Sequence, residues 1–322
     1  MFRIRNLLLV QAIVILIGLL FFNCAHASYP DRPIQIVVPY NPGGASDINA
    51  RMIAKHMGKY LSADIAVINI AGAGGVIGMQ EVKNAKPDGY KFLLHHVAMQ
   101  VAYHTGTADF DYDSFTPICQ LIEAGSSAIV VRADLQWETI GDLISYMKEN
   151  PGKVRFGTTI GGNTHLMAAG VATKTDTEFT YVPTGGTSDQ IAQLEGGHID
   201  ATIFGTVMAQ PFEEENKFRS LATFSSARDP LAPDVPTLRE EGIDFVYPHF
   251  TGLFGPKGVP NEVVEVLNKA FSQLVEDEDY KKDLQDSIGV SISYLDHEDY
   301  LEALKEYSDT IKELAISAGI YK

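Results

Sequence analysis

The chain has 322 residues, 45% of them hydrophobic, and a formal net charge of −16. That length suits two domains of ordinary size, and the composition, free of low-complexity tracts, is that of a globular protein. The acidic balance argues against a nucleic-acid partner, which calls for a basic face.

The first residues stand apart. Arg3 and Arg5 form a basic start, residues 7–22 are apolar apart from Gln11 and Gly18, and Ala25-His26-Ala27 gives an A-x-A cleavage pattern. This combination predicts a secretory signal peptide over 1–27, cut after Ala27, and an exported mature protein. The run is a little short for a membrane anchor. Cys24 raises a lipoprotein reading, but Phe22-Asn23 before it lacks the small residues such processing needs. Cleavage removes two positive charges and takes the net charge from −16 to −18. It also leaves Cys119 alone in an apolar stretch, where a buried, unreactive thiol is expected.

Residues 34–38 are β-branched and apolar and predict a strand. The turn Pro39-Tyr40-Asn41-Pro42-Gly43-Gly44-Ala45-Ser46-Asp47 follows, and then a helix begins, with apolar residues at helical spacing over 48–57. Ser46 or Asp47 is expected to cap that helix. Gly43 and Gly44 leave room for a ligand to approach the main chain, and a helix N-terminus attracts anions. The plainer reading is an ordinary strand-to-helix connection.

The plan repeats along the chain. Residues 65–70 form a second strand, feeding the glycine turn at 72–78 and a helix start at 79–82. Residues 86–90 are turn chemistry, and a third strand over 91–95 ends at His95-His96. Alternation of strand and helix predicts an α/β fold with a parallel sheet, whose ligands bind beyond the carboxyl ends of the strands. Strands at 118–123 and 127–132 follow, then a helix over 139–150. A strand at 154–157 runs into a third glycine turn and a helix from 166. A strand at 179–182 runs into a fourth turn, 183–189, and a helix over 190–194. Further strands fall at 199–204, ending at Gly205, and at 219–224. Residues 227–236 read as a surface loop and 250–256 as a return strand. Residues 261–275 and 299–317 are amphipathic helices, whose charges read as solvated faces.

Four glycine turns, 42–47, 72–76, 161–165 and 185–188, carry the candidate chemistry, and none contains Lys or Arg. An anion bound there would be held by helix N-termini, by the hydroxyls of Ser46, Thr159, Thr164 and Thr187, and by water. Asp47 and Asp189 read either as helix caps or as partners for a ligand amine or hydroxyl. His165 reads as a ligand contact or as a satisfied helix-start histidine. His95 and His96 point to opposite faces of a strand, which disfavours a metal pair. Enzyme signatures are wanting. Gly72, Gly74 and Gly78 do not have the dinucleotide spacing, and G-x-S-x-G, H-E-x-x-H and P-loop patterns are missing. Ser145-Tyr146-Met147-Lys148 matches S-x-x-K without its companion motifs. No enzymatic activity, cofactor or metal is expected.

Taken in order, several motifs resemble one family. These are Tyr29-Pro30-Asp31-Arg32-Pro33-Ile34, Val38 through Pro42-Gly43-Gly44 to Asp47, Gly72-Ala73-Gly74-Gly75, and Lys86-Pro87-Asp88-Gly89-Tyr90. Gly161-Gly162 to His165-Leu166, Gly196-Gly197-His198-Ile199-Asp200, Ala232 to Thr237, and Gly252 to Pro256 continue the series. The mature chain resembles the periplasmic receptors of tripartite tricarboxylate transporters, the Bug family. The resemblance implies a periplasmic, two-lobed binding protein (type II, Venus-flytrap) with two crossovers, one lobe being 28–121 plus 249–322 and the other 122–248. It implies a monomer that holds a small organic carboxylate in the interlobe cleft and hands it to the large and small membrane subunits of a permease. A sensor receptor that presents ligand to a kinase ectodomain would use the same form. The implied binding residues are Tyr40, Pro42, Gly43, Gly44, Ala45, Ser46 and Asp47 in the first turn and Gly74 and Gly75 in the second. His96 follows, then Thr159, Gly162, Asn163, Thr164 and His165, then Thr184, Gly185, Gly186, Thr187 and Gly205. The chain departs from the family pattern at Ile70-Ala71, His95-His96 and Val182 to Gly186, so its ligand is expected to differ from a citrate-like average.

Overall fold

A computed structural model describes residues 29–125 and 127–322. The expected signal peptide, with Cys24, lies outside the described residues. Strands β1 (Ile34–Val38), β2 (Ile65–Asn69) and β3 (Lys91–His96) pair in parallel, with β1 in the centre. Strand β4 (Phe115–Gly125) completes this first sheet together with β10 (Phe250–Pro256) and β11 (Val290–Leu295), in the order β11-β4-β10-β3-β1-β2. The second sheet has the order β7-β6-β8-β5-β9, formed by β5 (Ser127–Arg132), β6 (Arg155–Thr158), β7 (Thr180–Pro183), β8 (Ala201–Gly205) and β9 (Phe218–Thr223).

The expected parallel pairing holds for β1, β2 and β3 and for β6, β7 and β8, while other strands run against them. Strand β10 is antiparallel to both β3 and β4, and β5 is antiparallel to both β8 and β9. The reason is topological. The chain passes from the first sheet to the second between β4 and β5, and returns before β10. A strand that starts where its neighbours end has to run against them. The two crossings lie side by side, because Phe250 pairs with Glu123 and Thr251 with Ile122.

Ten helices cover the sheets among the described residues. They are α1 (Ala45–Met57), α2 (Val76–Lys83), α3 (Ala98–His104), α4 (Ile140–Glu149) and α5 (Asn163–Thr175), then α6 (Thr187–Glu195), α7 (Thr206–Glu214), α8 (Asn261–Leu274), α9 (Glu278–Ile288) and α10 (His297–Ser317). Helix α4 shows how local sequence sets a boundary, for Thr139 and Asp142 form a reciprocal capping box that satisfies two first-turn donors. Helix α8 buries Val263, Val264, Leu267, Ala270, Phe271 and Leu274 along one stripe and caps one face of the first sheet. The largest apolar cluster joins the two halves: Val101 of α3, Met167 of α5 and Leu304 of α10 share it with Leu93 of the first sheet and Phe156 of the second. Cys119 lies fully buried in β4, and burial holds its thiol well above its ordinary pKa. No helix among the described residues is long and apolar enough to cross a membrane.

Candidate functional site

The carboxyl ends of the parallel strands in both sheets face one cavity of about 120 Å³. Four helices begin there. The N-cap residues of α1, α5, α6 and α7 are Gly44, Gly162, Gly186 and Gly205, and none has a side chain to cap the first-turn N–H groups. Such termini present bare donors and the positive end of the helix dipole. The expected cap by Ser46 or Asp47 is therefore corrected. Ser46 lines the cavity. Asp47 is buried and turned back into its own turn, where its carboxylate accepts from the Gly43 N–H (2.9 Å), the Arg51 guanidinium (2.9 Å) and the Asn69 amide (3.0 Å). Burial alone would raise its pKa, but these bonds outweigh it and hold the carboxyl below its ordinary value. It lies off the cavity wall and serves its own turn rather than a ligand amine.

Of the residues singled out from the sequence, Tyr40, Gly44, Ala45, Ser46, His96, Thr159, Asn163, Thr164, Gly186, Thr187 and Gly205 line the cavity. The others do not, and each has a structural occupation. Gly43 takes φ +84°, lies off the cavity wall and donates its N–H to Asp47, so its place in the turn is accounted for by the turn itself. Pro42 is exposed beside it. Gly74 and Gly75 lie behind the wall, where a methyl group would reach Thr159 at 3.1 Å and the Tyr40 hydroxyl at 3.4 Å, respectively. Gly162 packs on Thr159. His165 accepts the Gly161 N–H at Nδ1 (3.2 Å) and meets Tyr181 edge-on, while burial lowers its pKa. The carbonyl of Gly185 accepts the Thr159 hydroxyl at 2.8 Å, and Thr184 lies beside it, half-buried and off the cavity.

The turns of the two halves touch across the cavity. The Asn41 amide donates to Asp189 at 2.8 Å. A methyl group on Gly186 would lie 3.3 Å from Tyr40 Cβ, and one on Gly44 would lie 3.7 Å from Thr187 Cβ. The Thr105 hydroxyl donates to the Gly161 carbonyl at 2.8 Å. The halves are thus closed on one another, and Asp189 is a cross-cavity contact rather than a cavity group.

Electrostatically the cavity is unusual in having no Lys, Arg, Asp or Glu on its wall. Its titratable rings are held neutral. The His96 ring lies between Tyr40 (5.4 Å between centroids, 7° between planes) and His249 (6.2 Å, 20°). Burial, then the neighbouring His95 and His249, holds its pKa well below the usual imidazole range. Burial likewise pushes His249 down to about 4 and His95 down to about 3. A backbone N–H can only donate, so the Ala98 N–H at 3.2 Å fixes His96 Nδ1 as an acceptor and leaves its proton on Nε2. The same logic applies to His95, whose Nδ1 accepts the His96 N–H at 2.8 Å. Among the described residues no group of three His, Cys, Asp or Glu side chains is arranged to hold a metal.

Sequence reasoning missed several wall residues. Asn49 follows Ser46 by three positions and Gln190 follows Thr187 by three, so each shares a helix face with a residue already singled out. Asn49 and Asn163 each keep a side-chain oxygen with no protein partner. His249 and Thr251 enter from the second crossing, and Ile122, Met208, Ile288 and Val290 come from distant stretches.

Comparison with known proteins places this geometry. The family profile described as "Tripartite tricarboxylate transporter family receptor" matches residues 49–319. A Cupriavidus necator protein described as "UPF0065 protein in gbd 5'region" is 33% identical over 297 residues, spanning 91% of this chain and 90% of that protein. The periplasmic binding protein BugD superposes with a TM-score of 0.85 at 29% identity, over 91% of this chain and 100% of its own. MatC from Rhodopseudomonas palustris, solved with bound malate, superposes with a TM-score of 0.82 at 27% identity, over 89% of this chain and 99% of its own. The two-sheet architecture is that of two-lobed periplasmic binding proteins.

Proposed function

We propose a function from one premise: the chain belongs to the tripartite tricarboxylate transporter receptor family, a family of binding receptors. The mature protein is exported to the periplasm after removal of 1–27. Membership of the two sheets supports a division into one lobe of 28–121 plus 249–322 and another of 122–248, except at the first crossing, which follows Gly125 because β4 stays in the first sheet to that residue. The lobes close on a small organic carboxylate and release it unchanged to the large and small membrane subunits of a permease. The protein works as a monomer.

One observation carries this reading. Four glycine-headed helix N-termini meet at one cavity whose wall has no Lys or Arg side chain. Backbone donors and dipole ends of this kind stabilise a carboxylate without a counter-ion. The volume, well under the roughly 300–1,000 Å³ of drug-sized sites, suits a compact ligand. The malate bound to MatC supports the same class of ligand.

A thermal-shift screen over di- and tricarboxylates, aliphatic and aromatic monoacids and acidic amino acids tests it. At least one acid is expected to stabilise the fold by about the 2.7 kcal/mol that linkage gives at a hundredfold excess over Kd, read as a rise in Tm. A shift with sugars or metal ions and none with any acid would overturn the reading.

A further inference from the structure

The cavity has two ends of different chemistry. In the first sheet the strand order β11-β4-β10-β3-β1 sets out the wall as Val290, Ile122, Thr251, His96 and then the turn after β1 with Tyr40 and Gly44. In the second sheet the order β8-β6-β7 sets out Gly205, then Thr159, then Gly186 with Thr187. Two contacts between the halves fix how these series face each other. Gly44 meets Thr187 at one end, where a methyl group on the glycine would lie 3.7 Å from Cβ. At the other end, a methyl group on Gly205 would lie 3.6 Å from the carbonyl oxygen of Ile288. Both walls therefore grade in the same direction. The donor end gathers the N-termini of α1, α5 and α6 with their hydroxyls. The far end is lined by Ile122, Phe204, Met208, Ile288 and Val290. Ser127, paired with Gly205, is the hydroxyl on that side; α7 also begins there, one helix terminus against three at the donor end, and no charged side chain accompanies it.

We propose that the ligand is an amphipathic monocarboxylate, a short aliphatic or single-ring aromatic acid, with its carboxylate at the α1–α5–α6 termini and its apolar body against Ile122, Met208, Ile288 and Val290. This rests on the carboxylate-receptor reading above and narrows it. A carboxylate at the donor end exchanges hydration for charge-assisted N–H bonds. A methylene chain or ring at the far end gains from leaving water. A second carboxylate there would exchange its hydration for a single helix terminus set among apolar side chains, with no cation beside it.

Matched acids separate the alternatives by isothermal titration: hexanoate against adipate, and benzoate against terephthalate, with malate and citrate alongside. In at least one pair the monoacid is expected to bind tenfold or more tightly than its diacid. Met208→Lys, which sets a cation at the apolar end, is expected to reverse that preference, and Met208→Thr to weaken the monoacid without recruiting the diacid. If adipate, terephthalate, malate or citrate binds the unaltered protein as tightly as the monoacids or more so, this inference is overturned while the carboxylate reading stands. If no acid binds, both fall.

Discussion

At the scale of the residue, the glycines of the turns divide by what each would meet. Gly43 has φ +84° and empty space where a side chain would go. Gly186 has an ordinary φ of −77° and the Tyr40 side chain of the opposite half 3.3 Å from its would-be Cβ. The first is a conformational glycine and the second a clearance glycine. Gly43→Ala is expected to lower stability by about 1–2 kcal/mol, the cost of left-handed backbone for a residue with a Cβ, with ligand affinity little changed. Gly186→Val is expected to leave Tm within a degree or two and weaken binding about tenfold or more, because it holds the turns apart. Denaturant melts and titrations on the two variants check this, and equal effects of both on affinity would refute the division. The sequence displays each as one member of a Gly-Gly pair and does not tell them apart, because the distinction lies in the backbone angle of one and in what faces the other.

At the scale of the element, helices begin where charge is wanted and strands end there. Most of this was legible. Helices α1, α8 and α10 announce themselves by apolar spacing, and β1 and β10 by β-branched or apolar runs between turns. Helix α9 did not, because only Tyr280, Leu284 and Ile288 of its eleven residues are buried, a thin stripe in a charged segment. Helix α7 contains Pro211, which reads as a breaker. These two, with β11, supply Met208, Ile288 and Val290, so the unread elements contribute three of the apolar end's residues beside Ile122 and Phe204 of strands that were legible. Between elements, the Asn41–Asp189 bond ties the β1–α1 turn to α6 across the cavity. Its loss in Asn41→Ala or Asp189→Ala is expected to weaken ligand binding two- to tenfold, in line with roughly 0.5–1.5 kcal/mol for one hydrogen bond. A double-mutant cycle on Kd is expected to show the coupling, and strict additivity would refute it.

At the scale of the whole molecule, the buried rings set the response to acid. His95 and His249 have folded-state values near 3 and 4 against an ordinary 6.5. The unfolded chain takes up their protons first, so the stability they contribute is complete above pH 6.5 and is lost as pH falls from there toward 4. Asp111 works in the opposite sense. Burial raises it to about 6 against an ordinary 3.8, despite the bonds it accepts from the Tyr112 N–H and the Ser308 hydroxyl, so the folded state gains a proton first and is favoured as pH falls between 6 and 4. The histidines outnumber the aspartate, each proton being worth about 1.4 kcal/mol per pH unit. Tm is therefore expected to fall between pH 6.5 and 4, and to fall more steeply in Asp111→Asn. Melting curves across that range check both slopes, and a flat or rising Tm would contradict the assignment.

The paired crossings carry a mechanical consequence. Two straps lying edge to edge, at Phe250 and Glu123, constrain the halves far more than one tether would. Straps placed so resist twist and slide more than a swing about the line they share. In the receptor proposed above, one such freedom would give the permease a single angle to read, one that reports a full cleft while staying blind to what fills it.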